Sequence, residues 1–181
     1  GSFDNCTLDS VTIDIASFTC SEVGANTVKF FGYDNSGNID STTATVTIAD
    51  KTSPSLTIQD LTVYLDGTGN VSVLSSDLVS ASSDNCSIAS TVASDTTYEC
   101  SQAGAFKVNV LVTDVNGNTT SDSATVTVLD TVSPVASCQD ITVYLDGSGN
   151  ATITGADLDN GSSDNCSVSS LTASVTSFTC A

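Results

Sequence analysis

Histidine, arginine, methionine and tryptophan are absent from this chain of 181 residues, lysine occurs only at Lys29, Lys51 and Lys107, and 21 acidic side chains set the formal charge at -18. With no cationic face to displace counterions from phosphates, a nucleic-acid binder is excluded. With no histidine there is no Ser-His pair and no imidazole base. Carboxylate pairs of the glycosidase kind are not set apart either, because the aspartates recur at matching places along the chain. No enzyme is expected. Glutamate is confined to Glu22 and Glu99 and proline to Pro54 and Pro134, and strong helix formers are scarce. Aromatic residues are 6% of the chain, so Val, Ile, Leu and Ala must build any core, which suits small modules. No apolar run approaches the roughly 18 residues of a membrane helix and no signal peptide opens the chain, which reads as a mature or internal segment.

What is plentiful is Ser and Thr, 57 together, interleaved with Val in alternating runs that favour β-structure and argue against disorder despite the charge. Residues 1–100 align with 81–180 without a gap at 44 identities, an internal repeat too long for one hairpin. Asp-Asn-Cys stands at 4–6, 84–86 and 164–166, and a second cysteine at Cys20, Cys100 and Cys180; both series step by 80. The two prolines fall in matching segments, Asp50-Lys-Thr-Ser-Pro54 and Asp130-Thr-Val-Ser-Pro134, which suit stiff connectors. Boundaries there give the latter part of a repeat at 1–52, a complete module at 53–132 and the earlier part of the next at 133–181. Starting each unit at the Asp-Asn-Cys loop is the alternative phasing.

Leu61, Val63 and Leu65 share one strand face, as do Val108, Val110 and Val112, and then Ala124, Val126 and Val128. Between the last two strands, Asn116-Gly117 suits positive φ at both centres of a tight hairpin turn. Around seven such strands per unit describe an all-β fold of tandem immunoglobulin-like sandwiches of about 80 residues, arranged as an elongated rod. Tyr64 and Tyr144 lie opposite Leu65 and Leu145, where cross-strand packing of a half-buried ring is expected ahead of stacking on a sugar.

Seven cysteines without histidine or a Cys-x-x-Cys pair argue for disulfides rather than metal. The spacing of 14 within each unit suggests Cys6–Cys20, Cys86–Cys100 and Cys166–Cys180, each closing a loop worth about 3 kcal/mol, in an oxidising extracellular compartment. Cys138 is left over, since its counterpart is Ile58; it reads as a buried thiol acting as a small hydrophobe, or as one with a partner elsewhere.

Asp-x-x-x-Pro opening a unit, a central Ser-Ser-Asp-Asn-Cys, an aromatic-x-Cys, and Val-x-Val-x-Val-x-Asp-x-Asn-Gly-Asn before a closing Ala-Thr-Val-Thr-Val together resemble the hyalin-repeat (HYR-like) modules of very large surface proteins of Bacteroidetes. Thr-Val-Tyr-Leu-Asp-x-x-Gly-Asn-Ala-Thr-Ile at 142–153 is similar to repeats of flavobacterial gliding adhesins. The resemblance spans essentially the whole chain. It implies an immunoglobulin-like fold, export by the type IX system and a place in a cell-surface filament that moves during gliding. It also implies O-glycosylation at Ser10, Ser41, Thr96, Ser123 and Thr131, each after an aspartate. Ile58 stands where many hyalin-type modules have cysteine, so their usual disulfide pattern is not carried over.

Calcium is the cofactor the residues suggest, because Asp and Asn oxygens in turns are hard ligands. The strongest set is Asp114, Asn116 and Asn118, with Asp34 and Asn38 as counterparts, joined by Asp84 or by the linker residues Asp50 and Asp130. Equally open is that these side chains serve only their own turn backbone. The function expected is a structural stalk of a surface adhesin, its partners neighbouring repeats and, through distant regions, polysaccharide or substratum, with no membrane span in this segment. The alternative is a carbohydrate- or protein-binding module of a secreted multidomain protein.

Overall fold

The computed structural model describes residues 7–180, and by spatial contact the chain divides into two compact units. One comprises Gly1–Leu56, Ala81–Thr91 and Leu111–Thr120; the other comprises Thr57–Ser80, Val92–Val110 and Ser121–Ala181. The fold is all-β, as expected from the alternation. Its strands are β1 (Leu8–Ile13), β2 (Gly24–Asp34), β3 (Ile39–Ile48), β4 (Ser55–Ile58), β5 (Leu61–Tyr64), β6 (Asn70–Ser72), β7 (Val79–Ser83), β8 (Ile88–Ala93), β9 (Thr97–Glu99), β10 (Gly104–Asp114), β11 (Thr119–Leu129), β12 (Asn150–Thr152) and β13 (Ser177–Thr179). Among the described residues helix is limited to single turns, including α1 (Gly155–Leu158).

In the first unit β1, β2 and β3 form an antiparallel sheet whose hairpin register runs from Gly24 opposite Ile48 to Tyr33 opposite Ile39. A turn at Cys20–Glu22 precedes β2, capped by Thr19, whose hydroxyl and backbone N–H both donate to Glu22 Oε2. Those bonds stabilise the ionised carboxylate, and with the Ser21 hydroxyl they hold Glu22 at about 2.

A four-stranded sheet has the order β5-β11-β10-β8, and β4 pairs with β7 and β6 with β9. β5 runs parallel to β11, Leu61 opposite Val126 and Tyr64 opposite Leu129. The alternating apolar residues do what their period requires: Val108, Val110, Val112, Ala124, Val126 and Val128 are all fully buried. In the second unit Val108, Val110, Ala124, Val126 and Val128 join Leu65, Val73, Leu78, Ala93 and Tyr98 in one hydrophobic cluster. The β6–β9 ladder places Val71 opposite Tyr98, and the β12–β13 ladder places Ala151 opposite Phe178, the same register 80 residues on. Residues 141–144, near-identical to β5, form no strand.

Two expectations are corrected at the level of single residues. At the β10–β11 turn only Gly117 has positive φ, at 91°, and no non-glycine residue among those described does. The turn is closed by the Gly117 N–H donating to the Asp114 carbonyl at 3.3 Å, so Asn116 needs no positive φ and glycine alone takes it. The tyrosines are not half-buried: Tyr64 is 57% exposed and Tyr144 87%. Tyr64 lies on the edge strand of its sheet opposite Leu129, and more than half of its surface stays open to solvent.

Candidate metal centre

The sequence Asp-x-x-Gly-Asn builds the same turn four times. In each, one carboxylate oxygen of the aspartate accepts the backbone N–H groups two and four residues on: Ser36 and Asn38 on Asp34, Thr68 and Asn70 on Asp66, Asn116 and Asn118 on Asp114, Ser148 and Asn150 on Asp146. Hydrogen bonds to the ionised form hold all four below the usual carboxylate range. For Asp34 and Asn38 the turn is the whole account among the described residues. The Asn38 amide donates to Asp34 Oδ2 at 2.6 Å.

Asp114 differs in what meets it. It is 2% exposed, and carboxylate oxygens of Asp50, Asp84 and Asp114 all lie within 4.8 Å of one another. The three come from different segments: Asp50 from the stretch before Pro54, Asp84 from the Asp-Asn-Cys loop, and Asp114 from the end of β10. Asn116 and Asn118 tie the set together. The Asn116 amide donates to Asp50 Oδ2 at 3.0 Å and the Asn118 amide to the Asp50 carbonyl at 3.4 Å. Thr120 holds the incoming stretch by donating to the Pro54 carbonyl at 2.6 Å. Burial pushes the Asp114 carboxyl up, but the Asn118 side chain and the turn's N–H groups outweigh it. Asp50 is lowered chiefly by the Thr52 N–H, against burial and, to a smaller extent, the like charge of Asp114.

Asp84 Oδ2 accepts the N–H groups of Cys86 and Ser87, while its Oδ1 is shut away from solvent with no hydrogen-bond partner. An orphaned carboxylate oxygen beside two further carboxylates is the donor set of a hard cation. Two oxygens on opposite sides of a calcium ion, each at about 2.4 Å, lie about 4.8 Å apart. The residues present therefore fit calcium. Ligands drawn from three loops suit its adaptable shell better than the rigid octahedron of magnesium.

Asp130 is not part of this cluster. It repeats the role of Asp50 one period later: Asp50 Oδ1 accepts from Thr52 N–H and the Asn85 amide, and Asp130 Oδ1 from Val132 N–H and the Asn165 amide. Asp164 repeats Asp84, down to a buried Oδ1 without a partner. These asparagines were missed by the sequence reading, although Asn5, Asn85 and Asn165 form a period-80 series that marks them.

The disulfide pairing is overturned. Cys20 is bonded to Cys86 and Cys100 to Cys166, each pair 66 positions apart with Cα atoms 5.3 Å apart. Cys180 is an exposed free thiol, and so is Cys138, which is therefore not the buried hydrophobe expected. Cys6 lies outside the described residues. The physical reason is the fold: Cys100 follows β9 while Cys86 precedes β8, and the loops bring each beside a cysteine of the other series one copy away, Cys86 beside Cys20 and Cys100 beside Cys166. Of the glycosylation candidates, Ser10, Ser41, Ser123 and Thr131 are exposed, while Thr96 is half-buried and its carbonyl accepts the Val73 N–H.

No helix among the described residues is long and apolar enough to cross a membrane, and two disulfides in the fold mark an oxidising compartment. In comparisons with known proteins, no family model matches the chain, and no curated protein matches it.

Proposed function

We propose that this chain is a load-bearing stretch of a stalk: tandem immunoglobulin-like repeats of a large cell-surface adhesin, not an enzyme, exported by the type IX route and of the kind gliding Bacteroidetes carry. The cysteine pairing carries the reading. Tension along the backbone passes across each sulfur bridge and bypasses the 66 positions between its ends. Between the bridges only the step from Cys86 to Cys100, 100 − 86 = 14, stays in the load path. Extended at about 3.5 Å per residue, that yields about 50 Å, against about 280 Å for an unbridged copy. Calcium at Asp50, Asp84 and Asp114 adds to this restraint by pinning the stretch before Pro54 to two loops. The negative charge keeps neighbouring fibres apart.

Pulling single molecules from both ends, before and after reduction, tests the reading. Reduction should release about 230 Å of hidden length for each bridge. Equal extension in both states sinks it.

One observation favours the second reading, a module that contacts polysaccharide: the exposed ring of Tyr64, which offers a stacking face. Under that reading Tyr64→Ala loses retention on a polysaccharide column without changing the melting temperature.

A further inference from the structure

We propose that Cys180, together with the Asp146–Asn150 turn, is a docking seat for the Asp-Asn-Cys loop of another copy of this repeat, closed by a disulfide. The inference rests on the stacked-repeat reading above and names the contact by which copies join. An occupied seat of the same build is present at Cys100. There Gly69, with φ of 77°, leaves room that a side chain would take: a Cβ on it would stand 2.5 Å from Cys100 Sγ and 2.7 Å from the Asn165 carbonyl oxygen. The incoming loop is gripped by its asparagine, whose amide donates to the Asp66 carbonyl at 3.0 Å and to Asp130 Oδ1 at 3.1 Å. Cys166 then completes the bond.

The glycine turn and the cysteine of the seat recur at Cys180; Asp130, the second acceptor of the loop asparagine, has no counterpart among the described residues. The β12–β13 ladder keeps the register of β6–β9. Gly149 has φ of 79°, and a Cβ on it would lie 2.8 Å from Cys180 Sγ. The Cys180 N–H donates to the Gly149 carbonyl at 3.0 Å, and the Asp146 carboxylate holds the turn as Asp66 does. The thiol is exposed and free. Cys138 is equally free and exposed but has no glycine turn beneath it; it stands where the preceding copy has Ile58 and forms an isolated bridge with Asp159. It is the internal control.

The probe is the symmetric disulfide of the peptide Ser-Ser-Asp-Asn-Cys-Ser, the sequence of 82–87 and of 162–167. It is offered to the full chain carrying Cys6→Ser, so that the first Asp-Asn-Cys segment cannot compete with the peptide. The Cys180 thiolate attacks one peptide sulfur, the new bond forms, and the second peptide leaves as thiolate and takes up the proton, so no oxidant is needed. Mass mapping should find the peptide on Cys180 about tenfold faster than on Cys138, the scale of one hydrogen bond. A peptide with Ala for Asn, or the Gly149→Ala chain, should lose that preference. Equal labelling of both cysteines, or a preference indifferent to the asparagine, overturns the seat. Either failure leaves the extension measurement untouched, so the two readings fall separately.

Discussion

At the scale of single residues, identical aspartates take on different work according to what faces them. Asp34, Asp66 and Asp146 finish their own turns; Asp114 makes the same turn and also looks onto Asp50 and Asp84. Removing charge without removing shape separates the roles. Asp84→Asn keeps an acceptor for the Cys86 N–H but weakens the cluster as a cation site. The parent should melt higher with calcium than with chelator, by about 2.7 kcal/mol in stability at calcium a hundredfold above Kd. The variant should show no calcium dependence and, with chelator, melt no lower than the parent because one of three like charges is gone. A calcium-insensitive parent removes the metal. The depressed carboxyls also fix a pH response. Their folded values lie below the unfolded value near 3.9. Their stabilisation is therefore complete above that value and is lost as pH falls through the folded ones. Asp66, lowered chiefly by the Thr68 hydroxyl, is a case to isolate: in denaturant titrations between pH 5 and 2, Asp66→Asn should lose stability less steeply than the parent.

At the scale of elements, the β10–β11 hairpin is where alternation and turn chemistry meet. Val126 is fully buried in the cluster, and Val126→Ala should cost about 2 kcal/mol by denaturant unfolding, the transfer of two methyl groups plus the cavity they leave. Gly117→Ala places a side chain at φ of 91° with open space around it, so its cost, about 1–2 kcal/mol, is conformational alone. The strands and this turn were legible in the sequence, since period two and an Asp-x-x-Gly-Asn signature are local properties. The backbone geometry of Asn116 was not, because Asn-Gly serves two turn types and the Asp114 carboxylate, gripping two N–H groups, selects between them.

At the scale of the molecule, the bridges decide which stretches of the chain are tied together. The spacing of 14 pointed to small loops inside each copy. The observed loops of 66 are worth about 4 kcal/mol each in the chain-entropy model, against about 3 for the short ones, and they join one copy to the next. Digestion tells the two apart, since cleavage after Lys29, Lys51 and Lys107 yields four peptides. Unreduced, the observed pairing leaves 1–29, 52–107 and 108–181 as one covalent species. The short-loop pairing would release all of them separately.

The chain's own order of residues determined the β class, the alternating core of Val108 to Val128, the turn aspartates and the period of 80, because each is written in neighbours a few positions apart or in a shift that can be counted. Which cysteine finds which, and that among the described residues Asp50, Asp84 and Asp114 converge while Asp34 and Asp130 do not, was decided only by the tertiary structure. Every copy offers the same candidates, and only the approach of distant loops in space chooses among them.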